Sequence, residues 1–267
     1  MNIDIIQQQL DALYEESLDN AYAYMMDIAI KAMNEDNEDV LLFILNELIG
    51  YYRVTSQINE GEKVAQQLIN ILKLKGYEGT LQQATSYLNI ATMYRAFGKF
   101  EQALALYQET EKIYLQLNQH DLRLSAFYNN YSLLYMQQKE YRKAIDLACQ
   151  ALKIVEEEKD YAKMAVSYSN LAQMYILINQ KDKAEDYVEK AIFLFENYTD
   201  NDSHYYSALA TKGQYECEMG HIEEALVYYE QAIQGVEKVY GHSQDYETLV
   251  NNKKKVMAMK NRLPKVL

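Results

Sequence analysis

Apolar residues recur along this chain at steps of three and four residues, the periodicity of helices that are buried on one side. From Tyr87 to Tyr107 one such run is followed, after a short polar break, by a second, so this stretch predicts two helices. Comparable breaks of two or three residues follow further along the chain. Connections this short predict antiparallel neighbours. The breaks are centred on Gly98-Lys99, Lys139-Glu140, Asn179-Gln180 and Gly220-His221.

The two-helix pattern repeats with a period of 40–42 residues, which identifies a repeat array. One tyrosine column and two columns of small residues carry the repeat. Small residues at facing positions let two helix backbones approach closely, so we predict that the two small columns meet. The tyrosine column is Tyr52, Tyr94, Tyr135 and Tyr175; the small residues are Ala91, Ser132, Ala172 and Gly213 in the first helices and Gly61, Ala103, Ala144, Ala184 and Ala225 in the second.

An unbroken repeat predicts one continuous all-α solenoid over residues 1–267, in which each helix pair packs on its neighbours. The columns are blurred in residues 1–40, which we interpret as a degenerate first pair. Residues 41–240 are interpreted as five repeats. Residues 241–267 are interpreted as a C-terminal capping helix followed by a basic tail.

Two positions depart from the small-residue columns. In the predicted last helix, at 244–260, Lys254 stands where earlier first helices have a small residue, and we expect it to prevent the stacking of a further pair. In the repeat that begins at residue 41, Ile49 replaces the small residue. We expect Gly61 to lie opposite Ile49 and to compensate for its volume.

These columns resemble the tetratricopeptide repeat family over residues 42–240: a bulky residue, a small residue and a tyrosine in the first helix, then alanines in the second. The period departs from the family value of about 34 residues, which predicts longer helices. The proline that often closes a repeat is also missing, since Pro264 is the only proline in the chain. The resemblance implies a right-handed superhelix of antiparallel helix pairs that binds a protein or peptide in its concave groove.

The chain is acidic, with 26 basic and 39 acidic residues and a formal net charge of −13. Six of the basic residues and none of the acidic ones follow Asn252. A negative field repels nucleic acid and anionic membranes and attracts basic partner segments, so we predict neither a nucleic-acid nor a membrane partner. A second explanation is that the charge only keeps the long helices soluble. With two cysteines and no signal-peptide pattern, the sequence predicts a cytoplasmic protein.

The sequence gives little support to enzyme chemistry. The four histidines have no partner at metal-ligand spacing, and the nine glycines do not form a phosphate-binding loop. Neither cysteine has an obvious activating base close in sequence. We therefore predict a non-enzymatic protein with no metal, no cofactor and no catalytic residue.

A polar column in the first helices is the main candidate site. In the family that the chain resembles, this position lines the groove, and an asparagine there holds the backbone of an extended peptide. An amide offers a donor and an acceptor, as a peptide unit does. The alternative is that these side chains bond adjacent repeats to each other. The column consists of Asn89, Asn130, Asn170, Thr211 and Asn252.

Neighbouring positions of the predicted groove would give selectivity. Arg53 and Arg95 occupy equivalent positions in successive repeats and are candidates for binding a carboxylate, although pairing with local acids is equally compatible with the sequence. Gln173 and Gln214 add further amides to the predicted peptide-binding set. Later repeats carry Met136, Ile176 and Cys217 at the arginine position, which predicts an apolar stretch. The lysine and arginine pair of the chaperone-binding family members is not found.

We therefore predict a non-enzymatic scaffold that holds an extended peptide or partner segment in its groove, including partners with basic segments. The alternative is a sensor that resembles the bacterial intracellular tetratricopeptide receptors of signalling peptides. Those receptors often carry an N-terminal DNA-binding or helical-bundle domain, which the pattern of this sequence does not predict, so we expect the output to pass through protein contacts. The sequence predicts no oligomeric state.

Overall fold

The computed structural model describes residues 1–199 and 203–261, without the side chain of Glu15. Thirteen helices form within these residues, and they confirm the all-α prediction. They are α1 (Ile3–Glu16), α2 (Leu18–Asn34), α3 (Glu38–Val54), α4 (Ile58–Leu74), α5 (Leu81–Ala96), α6 (Phe100–Gln116), α7 (Leu122–Gln137), α8 (Tyr141–Glu157), α9 (Tyr161–Leu177), α10 (Lys181–Tyr198), α11 (His204–Met219), α12 (Ile222–Tyr240) and α13 (Gln244–Lys260).

The chain divides into two compact units. Unit 1 is Met1–Gln119 and contains α1 to α6; unit 2 starts at His120 and contains α7 to α13. Within each unit the two helices of a pair pack on each other, and the second helix of a pair also packs on the first helix of the next. The first helices of successive pairs lie side by side: α3 beside α5 in unit 1, and α7, α9 and α11 in sequence in unit 2. A single solenoid over residues 1–267 stays a prediction.

The turns inside the helix pairs lie where the sequence predicts them. Gly98 and Gly220 adopt left-handed backbone angles, with φ of 72° and 86°. Asn179 and Lys139 do so without being glycine, with φ of 58° and 63°. This conformation costs free energy for residues with a Cβ, and it turns the chain within two or three residues. The turn closes on backbone hydrogen bonds such as that from Lys99 N to a carbonyl of α5.

The two columns of small residues meet as predicted. A Cβ placed on Gly213 of α11 would lie 3.2 Å from the carbonyl oxygen of Ala225 on α12, so the backbones touch at this crossing. Ala144 and its equivalents in the later second helices are fully buried. Gly61 shows a further contact that the sequence did not predict: a Cβ placed there would first meet Met93 and Tyr52. The glycine therefore makes room first of all for a methionine of the next helix pair, and compensation for the volume of Ile49 stays a prediction.

The ends of the array differ from its middle. In the first pair a single residue, Ser17, separates α1 from α2, and its side chain caps α2. The last helix forms at the predicted 244–260 and buries only Leu249 and Val256, while Lys254 is exposed. The predicted basic tail beyond residue 261, with the chain's one proline, lies outside the described residues.

Tyrosines fill much of the core in both units. Tyr107 and Tyr114 are fully buried in unit 1, where Tyr22 and Tyr51 stack with ring centroids 4.9 Å apart. This packing agrees with a composition of 26 tyrosines and no tryptophan. None of the described helices has the combination of length and apolar character that crossing a membrane requires.

The small-residue crossing gives a stability prediction. Ala144→Leu adds a large side chain at a position with no exposed surface, and we expect it to destabilise the protein by about 1–3 kcal/mol through overpacking. The neighbouring Lys143→Ala removes an exposed side chain and should change stability little. Thermal unfolding measures both variants. Equal melting temperatures for the two variants would contradict the close approach of the paired helices at Ala144.

Candidate functional site

The predicted site residues are divided between the two units. Arg53 on α3 and Asn89 and Arg95 on α5 belong to unit 1. The others belong to unit 2, so each unit carries its own strip of first-helix residues. The unit 2 strip comprises Asn130 on α7, Asn170 and Gln173 on α9, Thr211 and Gln214 on α11, and Asn252 on α13.

In unit 1 the column asparagine bonds two helices together. Asn89 Nδ2 donates to Asn46 Oδ1 on α3 at 2.9 Å. Asn46 Nδ2 in turn donates to Ser86 Oγ at 3.0 Å and to a carbonyl of its own helix. For Asn89 the structure therefore shows the alternative interpretation, a side-chain bridge between adjacent repeats. Sequence reasoning missed Asn46, which lies three residues before Ile49 and thus outside the column.

The two arginines of unit 1 approach the same tyrosine. Burial raises the pKa of the Tyr107 hydroxyl, and the charges of Arg95 and Arg53 oppose that rise. The Tyr107 hydroxyl also lies 3.2 Å from Thr92 Oγ1. The Arg95 side chain donates a hydrogen bond to Tyr107, while its Nε is buried and has no hydrogen-bond partner among the residues that the structure describes. A positive charge of this kind is suited to an anionic group.

Unit 1 also contains a carboxylate that sequence reasoning missed. Glu47 on α3 lies two residues before Ile49, which is the position that Asn89 occupies in the next repeat. Its side chain is half-buried, and burial, reinforced by the charge of Asp11, raises the pKa of this carboxyl. The periodic asparagine signal could not reveal Glu47, because the residue type changes at this repeat.

The column residues of unit 2 have different environments. Asn130 Nδ2 donates to the Ala126 carbonyl of its own helix at 2.9 Å. Thr211 is buried, and its hydroxyl donates to the Ser207 carbonyl at 3.0 Å. Asn170 is half-buried, and no hydrogen bond joins its side chain to the described part of the chain. One column thus contains both satisfied and available polar groups.

Two of the remaining predicted residues of unit 2 lie on these side-by-side helices, and the third lies on α13. Gln173 and Gln214 are half-buried on α9 and α11. Asn252 on α13 is half-buried and accepts from Lys255 Nζ at 3.4 Å. The predicted apolar stretch consists of half-buried side chains in unit 2, namely Met136, Ile176 and Cys217.

The comparisons with known proteins agree with this architecture. Two family models, both described as tetratricopeptide repeat, match residues 123–197 and residues 83–121 and 207–245. Together they span more than half of the chain. The chain belongs to the tetratricopeptide repeat family. No curated protein sequence matches it.

Solved structures show the same tetratricopeptide fold at low sequence identity. A Rap protein complexed with Competence and Sporulation Factor is 16% identical, with a TM-score of 0.72 over 98% of this chain and 72% of that one. The apo form of RapI is also 16% identical, with a TM-score of 0.59 over 82% and 84%. A signal transduction ATPase from Pyrococcus horikoshii with a tetratricopeptide repeat sensor is 16% identical. Its TM-score is 0.61 over 93% of this chain and 41% of that one.

An ion cluster with two buried members, Lys212 and Glu216, lies beside Gly213, the small residue of α11. The Lys212 side chain is 8% exposed, and its Nζ lies 2.9 Å from Glu216 Oε1 and also pairs with Glu189 of α10. His221 Nδ1 lies 2.7 Å from Glu216 Oε2. Sequence reasoning missed this cluster, although Lys212 directly precedes Gly213 of the small-residue column. The lysine–glutamate pair with the preceding helix recurs, more exposed, between Lys253 and Glu230.

The cluster controls the charges of its members. Burial alone would lower the pKa of Lys212, but hydrogen bonds to Glu189 and Glu216 outweigh it and raise the pKa to about 12. Burial alone would raise the pKa of Glu216, but hydrogen bonds from Lys212 and His221 hold it below its ordinary value. Among the described residues no three His, Cys, Asp or Glu side chains come together as a metal-binding group.

The cluster gives a prediction about stability and pH. Lys212→Ala leaves the largely buried Glu216 with His221 as its remaining partner, and we expect a loss of about 1–3 kcal/mol in the free energy of unfolding at neutral pH. Lys253→Ala, at the more exposed equivalent, should lose at most about 1 kcal/mol. Urea unfolding measures both. Equal losses for the two variants would contradict the greater burial of the Lys212 cluster.

The pH dependence of this loss follows from the two pKa directions. Glu216 has a lowered folded pKa, so its contribution is present above the ordinary glutamate pKa and disappears as the pH falls through the folded value. Lys212 has a raised folded pKa, so its contribution is fully present below the ordinary lysine pKa and is lost as the pH rises through the folded value of about 12. The difference between wild type and Lys212→Ala should therefore shrink in acid and persist at mildly alkaline pH.

The asparagine column gives a second prediction. Asn89→Ala leaves Asn46 Oδ1 without its donor and should cost about 1–3 kcal/mol. Asn170→Ala removes a side chain with no hydrogen bond to the described residues and should be neutral or slightly stabilising, because alanine is the better helix former. Thermal unfolding followed by circular dichroism compares the two. The same loss in both variants would mean that the column is structural throughout.

Proposed function

We propose that the chain is a non-enzymatic scaffold that binds an extended peptide or partner segment along the first helices of its repeats. The observation that supports this most is the strip of half-buried amides in unit 2, on three first helices that lie side by side. Such a strip offers donors and acceptors at regular intervals, which suits the backbone of an extended segment.

Selectivity would come from the side chains next to the amides. In unit 2 the half-buried Met136, Ile176 and Cys217 offer an apolar stretch to a ligand side chain. In unit 1 the arginines near Tyr107 would suit a carboxylate. The net charge of −13 would speed the encounter with a partner that carries basic segments. We propose a cytoplasmic location for this activity and neither nucleic-acid nor membrane partners.

The comparisons favour a second form of the proposal, a receptor that senses its peptide. The Rap structure that covers 98% of this chain was solved in complex with Competence and Sporulation Factor. The tetratricopeptide repeats of the Pyrococcus horikoshii protein are described as its sensor. A sensor would change the packing of its repeats on binding, whereas a passive scaffold would not. Small-angle scattering with and without bound peptide separates the two forms.

A peptide-binding experiment tests the proposal. The chain is used to capture ligands from a displayed library of random heptapeptides, and the affinity of a captured peptide is then measured by calorimetry. Asn130→Ala with Asn170→Ala removes two amides, each worth about 0.5–1.5 kcal/mol, so we expect an affinity loss of roughly tenfold or more. The melting temperature should change little.

A matched control is available on a second helix of unit 2. Asn197 on α10 is exposed and donates to the Phe193 carbonyl at 2.8 Å, as Asn130 does to Ala126. Asn197→Ala therefore removes the same kind of local hydrogen bond away from the strip and should leave the affinity unchanged. Unchanged affinity with lowered stability in the double variant would refute the groove. A library that yields no ligand would refute peptide binding itself.

A further inference from the structure

Two equivalent sets of three polar residues link successive first helices. The first triad, in unit 1, is Asn46 of α3 with Ser86 and Asn89 of α5. The second triad, in unit 2, is Asn129 of α7 with Ser167 and Asn170 of α9. In both, the serine precedes the second asparagine by three residues, and the first asparagine lies three residues before the small-column position of its helix. The residue types and the register are thus identical.

The first triad is closed. Asn46 Nδ2 donates to Ser86 Oγ at 3.0 Å, and Asn46 Oδ1 accepts from Asn89 Nδ2 at 2.9 Å. Both polar groups of the Asn46 amide therefore have partners inside the protein. This geometry shows that these three residue types, in this register, can satisfy each other across two first helices.

The second triad is open. Asn129 Nδ2 donates to Ser167 Oγ at 2.8 Å, which reproduces half of the first triad. Asn129 is only 7% exposed, yet its Oδ1 is buried and has no hydrogen-bond partner among the described residues. Asn170, in the position of Asn89, makes no hydrogen bond to any of them. Turning the Asn129 amide over would leave its NH2 group unpartnered instead, so one polar group lacks a partner either way.

A buried acceptor without a donor destabilises the arrangement that contains it, and each such group needs an explanation. The first triad shows which donor fits here, because Asn89 supplies it in unit 1. Asn170 can therefore occupy two positions. Turned inward, its amide would donate to Asn129; turned away from Asn129, it would be available to a ligand. In this structure Asn170 makes no hydrogen bond to Asn129.

We propose that Asn129 is a positioning residue that controls how available Asn170 is to a bound peptide backbone. This inference rests on the proposed peptide-binding function. The inward position competes with the ligand for the Asn170 amide, so peptide binding and the bridge between α7 and α9 exclude each other. In unit 1 the closed triad holds Asn89 as a bridge between α3 and α5. The contact with the backbone of a bound peptide is therefore assigned to Asn170 in unit 2.

The first test uses the protein without ligand. In the side-chain amide spectrum of 15N-labelled protein, Asn89 should show one state that exchanges slowly with solvent, whereas Asn170 should exchange between two states. Asn129→Leu removes the inward partner and should leave Asn170 in one rapidly exchanging state. Asn46→Leu is the matched control, which should free Asn89 and leave Asn170 unchanged. A single Asn170 state that does not respond to Asn129→Leu would overturn the proposal.

The second test measures affinity for the peptide captured from the heptapeptide library. Because a competing inward state reduces apparent affinity by its population, Asn129→Leu should increase affinity by about two- to tenfold, and Asn46→Leu should leave it unchanged. A merely structural Asn129 would give unchanged affinity, and a direct ligand contact would give a decrease; either result overturns the proposal. If Asn129→Leu does not fold, Asn129→Ala gives the same comparison.

The two proposals fail in different ways. If the library yields no peptide while Asn170 still switches when Asn129 is changed, the peptide-binding function fails and the two-state side chain stands. If a peptide binds but its affinity is insensitive to Asn129→Leu, the positioning role fails and the groove stands.

Discussion

The close approach of two helices at facing small residues is the constraint on which the rest of each unit depends. Where Gly213 meets the Ala225 carbonyl, no side chain separates the backbones. This contact sets how the pair crosses, and the short left-handed turns then follow, because the helix ends lie close together. Helix pairs with the same crossing stack on each other in the same way, and this stacking brings their first helices side by side. The strips of polar residues exist only because this stacking repeats.

The sequence was sufficient to predict the helices, the turns and the meeting of the small columns. All three depend on local periodicity and on the size of one side chain. The sequence was not sufficient for the polar contacts. Asn89, Asn130 and Asn170 share one column, yet each amide has a different environment, because the deciding neighbour lies outside the column. Asn46 supplies that neighbour for Asn89. The Lys212 cluster was missed for the same reason: Glu189 comes from another helix pair.

The same chemical property lets an amide serve as an internal bridge or as a ligand contact. Both uses need a donor and an acceptor on a first helix, at a position where the next repeat is within reach. A repeat array can therefore change a bridge into a contact with little change in sequence, by altering which partner is nearest. The disadvantage is that one polar group lacks a hydrogen-bond partner in one of the two arrangements.

The spacing of the bridges has a consequence for how the chain is made. The side-chain hydrogen bonds from Asn46 to Ser86, Asn89 to Asn46 and Asn129 to Ser167 join residues 40, 43 and 38 positions apart. Folding dominated by short sequence separations is fast, and domains fold as units during synthesis. Each bridge can therefore form soon after the next helix leaves the ribosome. An incomplete chain would expose only the face of its last pair, so aggregation during translation is limited to one short segment at a time.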